Sequence, residues 1–245
     1  MPQPVVLSWG RYPRVTQRID ELYSRHDRLP VGSESLLPYG NGRSYGDSCL
    51  NPGGVLLHTR GLDRFIAFDE TTGRVCCESG VLLSEVLDLV VPRGWFLPVT
   101  PGTRFVTVGG AIANDVHGKN HHRAGTFGCH VLQFELLRSD GTHLFCSTGN
   151  NAEWFAATVG GLGLTGLILW AEIQLRRIDS TWINGETLRF GTLGEFFNLS
   201  AKSDTGHEYT VAWIDCGPQR RISGRGLFSR GNHAPAREAG MAITT

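Results

Sequence analysis

Three glycine clusters constrain this chain more than any other feature. The first is Gly40-Asn41-Gly42-Arg43-Ser44-Tyr45-Gly46, the second spans Gly102 and Gly109-Gly110, and the third is Gly160-Gly161-Leu162-Gly163-Leu164-Thr165-Gly166. Glycine supplies 32 of the 245 residues, nearly twice the usual ~7%. The excess has no fixed period, which excludes collagen-like and low-complexity readings. Each cluster abuts a strand-like run. Glycines so placed let the backbone turn sharply and come close to a ligand, because no Cβ intervenes.

The stretch from Thr100 to His122 joins the second cluster to His117, Lys119, Asn120, His121 and His122. A flat, phosphate-bearing molecule lying along the glycines would end beside the imidazoles. The first cluster suits an anion nest, its N–H groups turned inward. A metal site at His117, His121 and His122 is the weaker reading, because Gly118 interrupts the helix that would align them and no carboxylate accompanies them.

Lys and Arg number 23, as do Asp and Glu. That neutral balance gives no support to nucleic-acid binding. Six cysteines form no CxxC pair and read as buried free thiols, Cys129 among them, in a reducing compartment. No basic, then apolar leader opens the chain, and no apolar run reaches the ~18 residues that a membrane span needs. These features predict a cytoplasmic protein without a transmembrane segment, compatible with peripheral membrane association.

Hydrophobic spacing predicts a helix over Arg14–Arg25, strands at Leu36–Tyr39 and Val55–His58, and a hairpin of Phe65–Asp69 with Arg74–Ser79. A helix follows over Leu83–Val90, stopped by Pro92 and Gly94, then a strand over Trp95–Val99. A second hairpin joins Val131–Arg138 to Thr142–Cys146. After it come a helix at Ala152–Val159, with Trp154 and Phe155 as core residues, and a strand at Leu167–Leu175. The order is α+β, not a regular βαβ series. Beyond Arg176–Asp179 only a helix at Leu193–Ser200 and strands at Tyr209–Asp215 and Arg221–Phe228 are expected. Such isolated elements make a poor core. The tail from Arg230 is expected to be disordered.

Taken together, the loops resemble one family. They are Gly40 to Asp47, Pro101 to Arg104 with Val106 to Ala113, His117 to His122, and Ala157 to Gly161 with Gly163 to Gly166. The chain resembles the vanillyl-alcohol-oxidase/PCMH-type FAD-binding oxidoreductases, and within them the flavoprotein oxidase subunits of decaprenylphosphoryl-β-D-ribose 2′-epimerases. The likeness runs from Trp9-Gly10-Arg11 to about Arg230.

The resemblance implies an α+β, PCMH-type FAD-binding domain of two α+β subdomains over residues 1–178. An incomplete substrate domain would follow over 179–232, then a disordered tail over 233–245, as in a C-terminally truncated member. FAD would be wrapped at its pyrophosphate by Pro38, Tyr39, Gly40, Asn41, Gly42, Arg43, Ser44, Tyr45, Gly46, Asp47 and Ser48. Gly102, Thr103, Thr107, Val108, Gly109 and Gly110 would support the phosphate and ribityl region. Asn114, Asp115, Val116 and His117 would line the flavin, and Gly163, Leu167 and Ile168 the adenine side. His117 and Lys119 would orient or polarise the substrate.

The first loop has no histidine at Arg43-Ser44-Tyr45-Gly46, so non-covalent FAD is expected. The reaction implied is hydride transfer from the 2′ carbon of a lipid-linked ribose to the flavin. An NAD-dependent short-chain reductase is the implied companion. Oxidation of a sugar lactone or alditol, and a non-catalytic flavin-binding fragment, are the alternatives.

Overall fold

A computed structural model of the chain describes residues 6–30, 32, 34–217 and 224–236. In chain order its strands are β1 (Arg18–Glu21), β2 (Leu36–Tyr39), β3 (Val55–His58), β4 (Phe65–Asp69), β5 (Arg74–Glu78), β6 (Trp95–Phe96), β7 (Val131–Leu137) and β8 (His143–Ser147). They continue as β9 (Leu167–Gln174), β10 (Arg176–Arg177), β11 (Ile183–Phe190), β12 (Tyr209–Ile214) and β13 (Gly226–His233). The helices are α1 (Leu83–Val90), α2 (Val108–Ala113), α3 (His121–Ala124), α4 (Ala152–Thr158) and α5 (Leu193–Ser203).

Two sheets carry the larger part of the chain, as the α+β reading expects. A parallel sheet of order β1-β3-β2 pairs Arg18 and Leu36 with opposite sides of Val55. An antiparallel sheet of order β4-β5-β9-β7-β8 is built from two hairpins clasping the central β9. The opening residues of β9, Leu167-Ile168-Leu169, are all buried, because both faces of the sheet are covered there. Ile168 joins a core with Val86, Ile112 and Phe134. Leu167 and Leu169 join Leu22, Val55 and Leu57 of the parallel sheet. A run apolar on successive residues is the expected signature of a strand covered on both sides.

Local chemistry sets the element ends. Glu85 accepts the Leu82 N–H at 2.7 Å, capping α1, and Gly94 closes the following turn in the left-handed region at φ 77°. Thr107 caps α2 by accepting the Gly110 N–H at 3.1 Å. That bond satisfies one of the donors a helix start leaves unpaired.

A third sheet, of order β11-β13-β12, packs Phe190 and Phe228 against Phe196 of α5. It is tied to the first two sheets through residues 119–123. Lys119 O accepts the Thr210 N–H at 2.8 Å, His122 Nε2 lies 3.0 Å from His207 O, and Arg123 donates to Thr205 O at 2.7 Å. Arg176, opening β10, contacts Glu208.

Several sequence expectations are corrected. Arg14–Arg25 is no helix. Arg18–Glu21 is a strand, because its backbone pairs with distant β3 and Tyr23, needed for the helical stripe, is 67% exposed. The strand expected over Trp95–Val99 stops at Phe96. That expected over Arg221–Phe228 runs instead from Gly226 to His233, and residues 221–223 lie outside those described. Arg230–His233 is therefore not disordered: His233 sits 2.9 Å from Ser180 O and 3.1 Å from the Tyr209 hydroxyl. The remainder of the expected tail, 237–245, lies outside the described residues. Strand β11 had no sequence signal. Cys129 and Cys216 are exposed, whereas Cys77 and Cys146 are buried. Trp154 is a partly exposed platform under the Arg138 guanidinium, 4.2 Å from the ring centre, while Phe155 stacks on Phe134 in the core.

Candidate functional site

The three glycine clusters converge on one cavity of about 520 Å³ between the parallel and the antiparallel sheet. Strand β2 delivers the first cluster to its rim. The Tyr39 hydroxyl donates to Leu7 O at 2.8 Å, and burial pushes its phenol up to about 12. Gly42 and Gly46 take φ of 61° and 60°, turning the loop back on itself. Among the described residues, no group accepts from the backbone N–H groups of Asn41 to Gly46. Unpaired backbone donors gathered on one loop suit an anion.

The second cluster forms the facing wall. A Cβ on Gly40 would lie 2.3 Å from Thr107 Oγ1, and one on Gly109 would lie 2.9 Å from the Ser79 Cβ. The two walls therefore meet only because these positions lack side chains. Asn41 ties them by donating to Phe105 O at 2.7 Å. The chain then leaves α2 through Asn114, whose amide donates to Gly110 O at 2.9 Å, and reaches His117 at the exposed end. His117 and His121 meet edge to face at 5.8 Å.

Most residues singled out from the sequence line this cavity. They are Pro38, Tyr39, Gly40, Asn41, Gly42, Arg43, Ser44, Tyr45, Ser48, Gly102, Thr103, Thr107, Gly109, Gly110, Asn114, Val116, His117, Gly163, Leu167 and Ile168. Five do not. Gly46 and Asp47 shape the turn, with Asp47 O accepting the Leu50 N–H at 2.8 Å. Val108, the first residue of α2, is fully buried in the core. Asp115 points away, adopts φ 41° and accepts the Gly128 N–H at 2.9 Å. Lys119 lines a separate groove of about 200 Å³ with Ile183, Tyr209, Val211 and Ser229 of the third sheet.

Sequence reasoning missed Trp9, Cys49, Thr59, Ser79, Pro101, Val106, Ala113, Thr158, Leu162 and Gly166 in the lining. Leu162 and Gly166 sit within the third cluster and could have been included. Pro101, Val106, Ala113 and Thr158 likewise lie inside the loops that carry the resemblance, and Trp9 opens the stretch of likeness, whereas Cys49, Thr59 and Ser79 are brought in by tertiary packing. Trp9 lies under the Arg43 guanidinium, 5.6 Å from its ring centre. The Cys49 thiol is half-buried, and burial holds its pKa above the ordinary value.

Two polar atoms test what the cavity fits. Arg43 Nε and Ser79 Oγ are buried and lack hydrogen-bond partners among the described residues. Both residues line the cavity. Orphaned buried polar atoms are uncommon. Here they accompany a free N–H loop and apolar surfaces at Val106, Val116, Leu167 and Ile168. Anion donors and apolar walls within one cavity fit a dinucleotide carrying a flat ring system, as FAD does.

Comparison with known proteins agrees. Residues 32–147 match the family model described as "FAD binding domain". Over 206 residues the chain is 40% identical to the decaprenylphosphoryl-beta-D-ribose oxidase of Mycolicibacterium smegmatis, covering 83% of this chain and 45% of that protein. It is 32% identical over 138 residues to the L-gulonolactone oxidase of Mus musculus, covering 55% of this chain and 30% of that one. The chain thus spans less than half the length of these relatives.

Proposed function

The chain carries the FAD-binding domain of the PCMH-type flavoprotein oxidoreductases, and on that premise we propose that it holds FAD in the cavity between its two sheets and serves the oxidation of a sugar secondary alcohol. The substrate class we favour is a polyprenylphosphoryl ribose oxidised at its 2′-hydroxyl. The 40% identity to an oxidase of that name, extending over 83% of the chain, carries this reading. The flavin supplies the hydride acceptor.

The chain's own residues hold and orient. The Asn41–Gly46 N–H groups and Arg43 bind the phosphates. Val106 and Val116 give the ring an apolar bed. His117, at the exposed end of the cavity, faces the substrate and polarises its hydroxyl or takes its proton. Lys119 stands beside the third sheet, where its ammonium serves an anionic part of the substrate. Residues 179–232 act as the first portion of a substrate domain. The keto product would pass to an NAD-dependent short-chain reductase. No described helix is long and apolar enough to cross a membrane.

FAD is bound non-covalently on this reading. The Gly40–Ser48 loop offers no histidine, and burial disfavours the thiolate that Cys49 would need to form a bond. Acid precipitation should leave the yellow colour in the supernatant; a yellow pellet would contradict non-covalent binding.

A second reading, oxidation of a sugar lactone or alditol, is favoured by the 32% identity to the gulonolactone oxidase. Anaerobic bleaching of the flavin separates the two. Polyprenylphosphoryl ribose should bleach the band and aldonolactones should not, tested with and without the C-terminal half of a relative supplied as a separate chain. Bleaching only by lactones would overturn the first reading. A flavin that no sugar bleaches under either condition would leave a binding fragment without catalysis.

A further inference from the structure

One side chain on the cavity floor is left without a partner by the fold. Ser79 follows β5 and is 2% exposed. Its backbone is fully engaged, the N–H donating to Leu169 O at 3.0 Å and the carbonyl accepting from Gly109 N–H at 2.8 Å. Its hydroxyl lines the cavity and has no hydrogen-bond partner among the described residues.

Two other hydroxyls that line the cavity each have a partner within the fold. Thr59 Oγ1 donates to Tyr39 O at 3.2 Å, and Thr107 Oγ1 accepts from Gly110 at 3.1 Å. Close packing against Gly109, where a Cβ would come within 2.9 Å of the Ser79 Cβ, fixes the serine in place. A buried hydroxyl left unpaired destabilises a fold unless a ligand or a water completes it.

The geometry points to Ser79 as a hydrogen-bonding residue for the sugar–phosphate chain of FAD. This rests on the cavity being the FAD site. The Ser79 hydroxyl can both donate and accept, and an oxygen of a ribose or phosphate takes up either role. It marks the floor of the site, where the glycine loops supply the rim.

The test is Ser79→Ala, with two readouts. FAD affinity is measured by quenching of flavin fluorescence, and the melting temperature is measured on the apoprotein. FAD should bind about five- to tenfold more weakly, the worth of one hydrogen bond. The apoprotein should melt at the same temperature or higher, since the hydroxyl removed had no partner. An unchanged affinity would overturn the assignment. So would a loss of affinity accompanied by a lower apoprotein melting temperature, which is the mark of a purely structural serine. If the unsubstituted chain takes up no FAD, the placement of the cofactor itself fails.

Discussion

Gly40 and Thr107 lie so close that a Cβ on the glycine would sit 2.3 Å from the threonine Oγ1. One belongs to the loop after β2 in the parallel sheet, the other caps α2 against the antiparallel sheet. The contact is therefore the point where the two halves of the cofactor domain close on each other. Gly40→Ala should force them apart and displace the Thr107 cap, destabilising the fold by about 1–3 kcal/mol. Gly102 has nothing within 4 Å of the corresponding position, so Gly102→Ala should leave stability unchanged. Because Gly102 lines the cavity, the same change should weaken FAD binding. Denaturant unfolding and FAD titration of both variants check this; a stable Gly40→Ala protein would refute the close junction.

Tyr39 makes stability depend on alkaline pH. Burial raises its phenol from 10.0 to about 12, so the folded state keeps the proton longer than the unfolded chain does. A folded pKa raised above the unfolded one contributes stability that is whole below pH ~10 and lost as pH rises through ~12. Unfolding free energy should fall across that window, and Tyr39→Phe should flatten the fall. The variant should also lose about 1 kcal/mol at neutral pH with the bond to Leu7 O. An identical pH profile in the two proteins would contradict this.

Asp115 positions the stretch that ends in His117. Its carboxylate accepts the Gly128 N–H, and its φ of 41° is one that side chains other than Asn and Asp seldom tolerate. Asp115→Ala should lose about 1–3 kcal/mol, whereas Asp115→Asn keeps both an acceptor and tolerance of that backbone, and should lose little. Equal losses in thermal denaturation would argue against the carboxylate as the anchor.

Glu208 holds the third sheet to the rest. It contacts Arg176, and the Asn120 amide donates to it at 3.4 Å. Glu208→Ala leaves a half-buried arginine uncompensated. Hydrogen exchange should quicken in β12 and β13 while β7 and β9 keep their protection. Uniform acceleration over all sheets would show that the seam is not a separate unit.

Much of this architecture is legible in the residues because its signals are local. The hairpin turns at Glu70-Thr71-Thr72-Gly73 and Ser139-Asp140-Gly141, the stop at Pro92 and Gly94, and the glycine clusters each carry their cause within a few positions. What sequence missed depends on distant partners. Val15, Ile19 and Leu22 imitate a helical stripe, yet Arg18–Glu21 is drawn into a strand by Val55–His58. In β11 only Phe190 is buried, so no alternation announces a strand. The site divides in the same way. The rim residues announce themselves as glycines, whereas Ser79 and Thr59 reach the cavity through packing, and Lys119 is turned toward the third sheet by the bond of its carbonyl to Thr210.

The placement of the flavin ring beside His117 is tested most directly by titrating the purified chain and its His117→Ala variant with FAD and recording visible spectra. The chain should bind one FAD with bands near ~450 nm, and the variant should show shifted bands or weaker binding. Spectra and affinity unaltered by the substitution would contradict the placement, and a chain that stays colourless at saturating FAD would contradict the site as a whole.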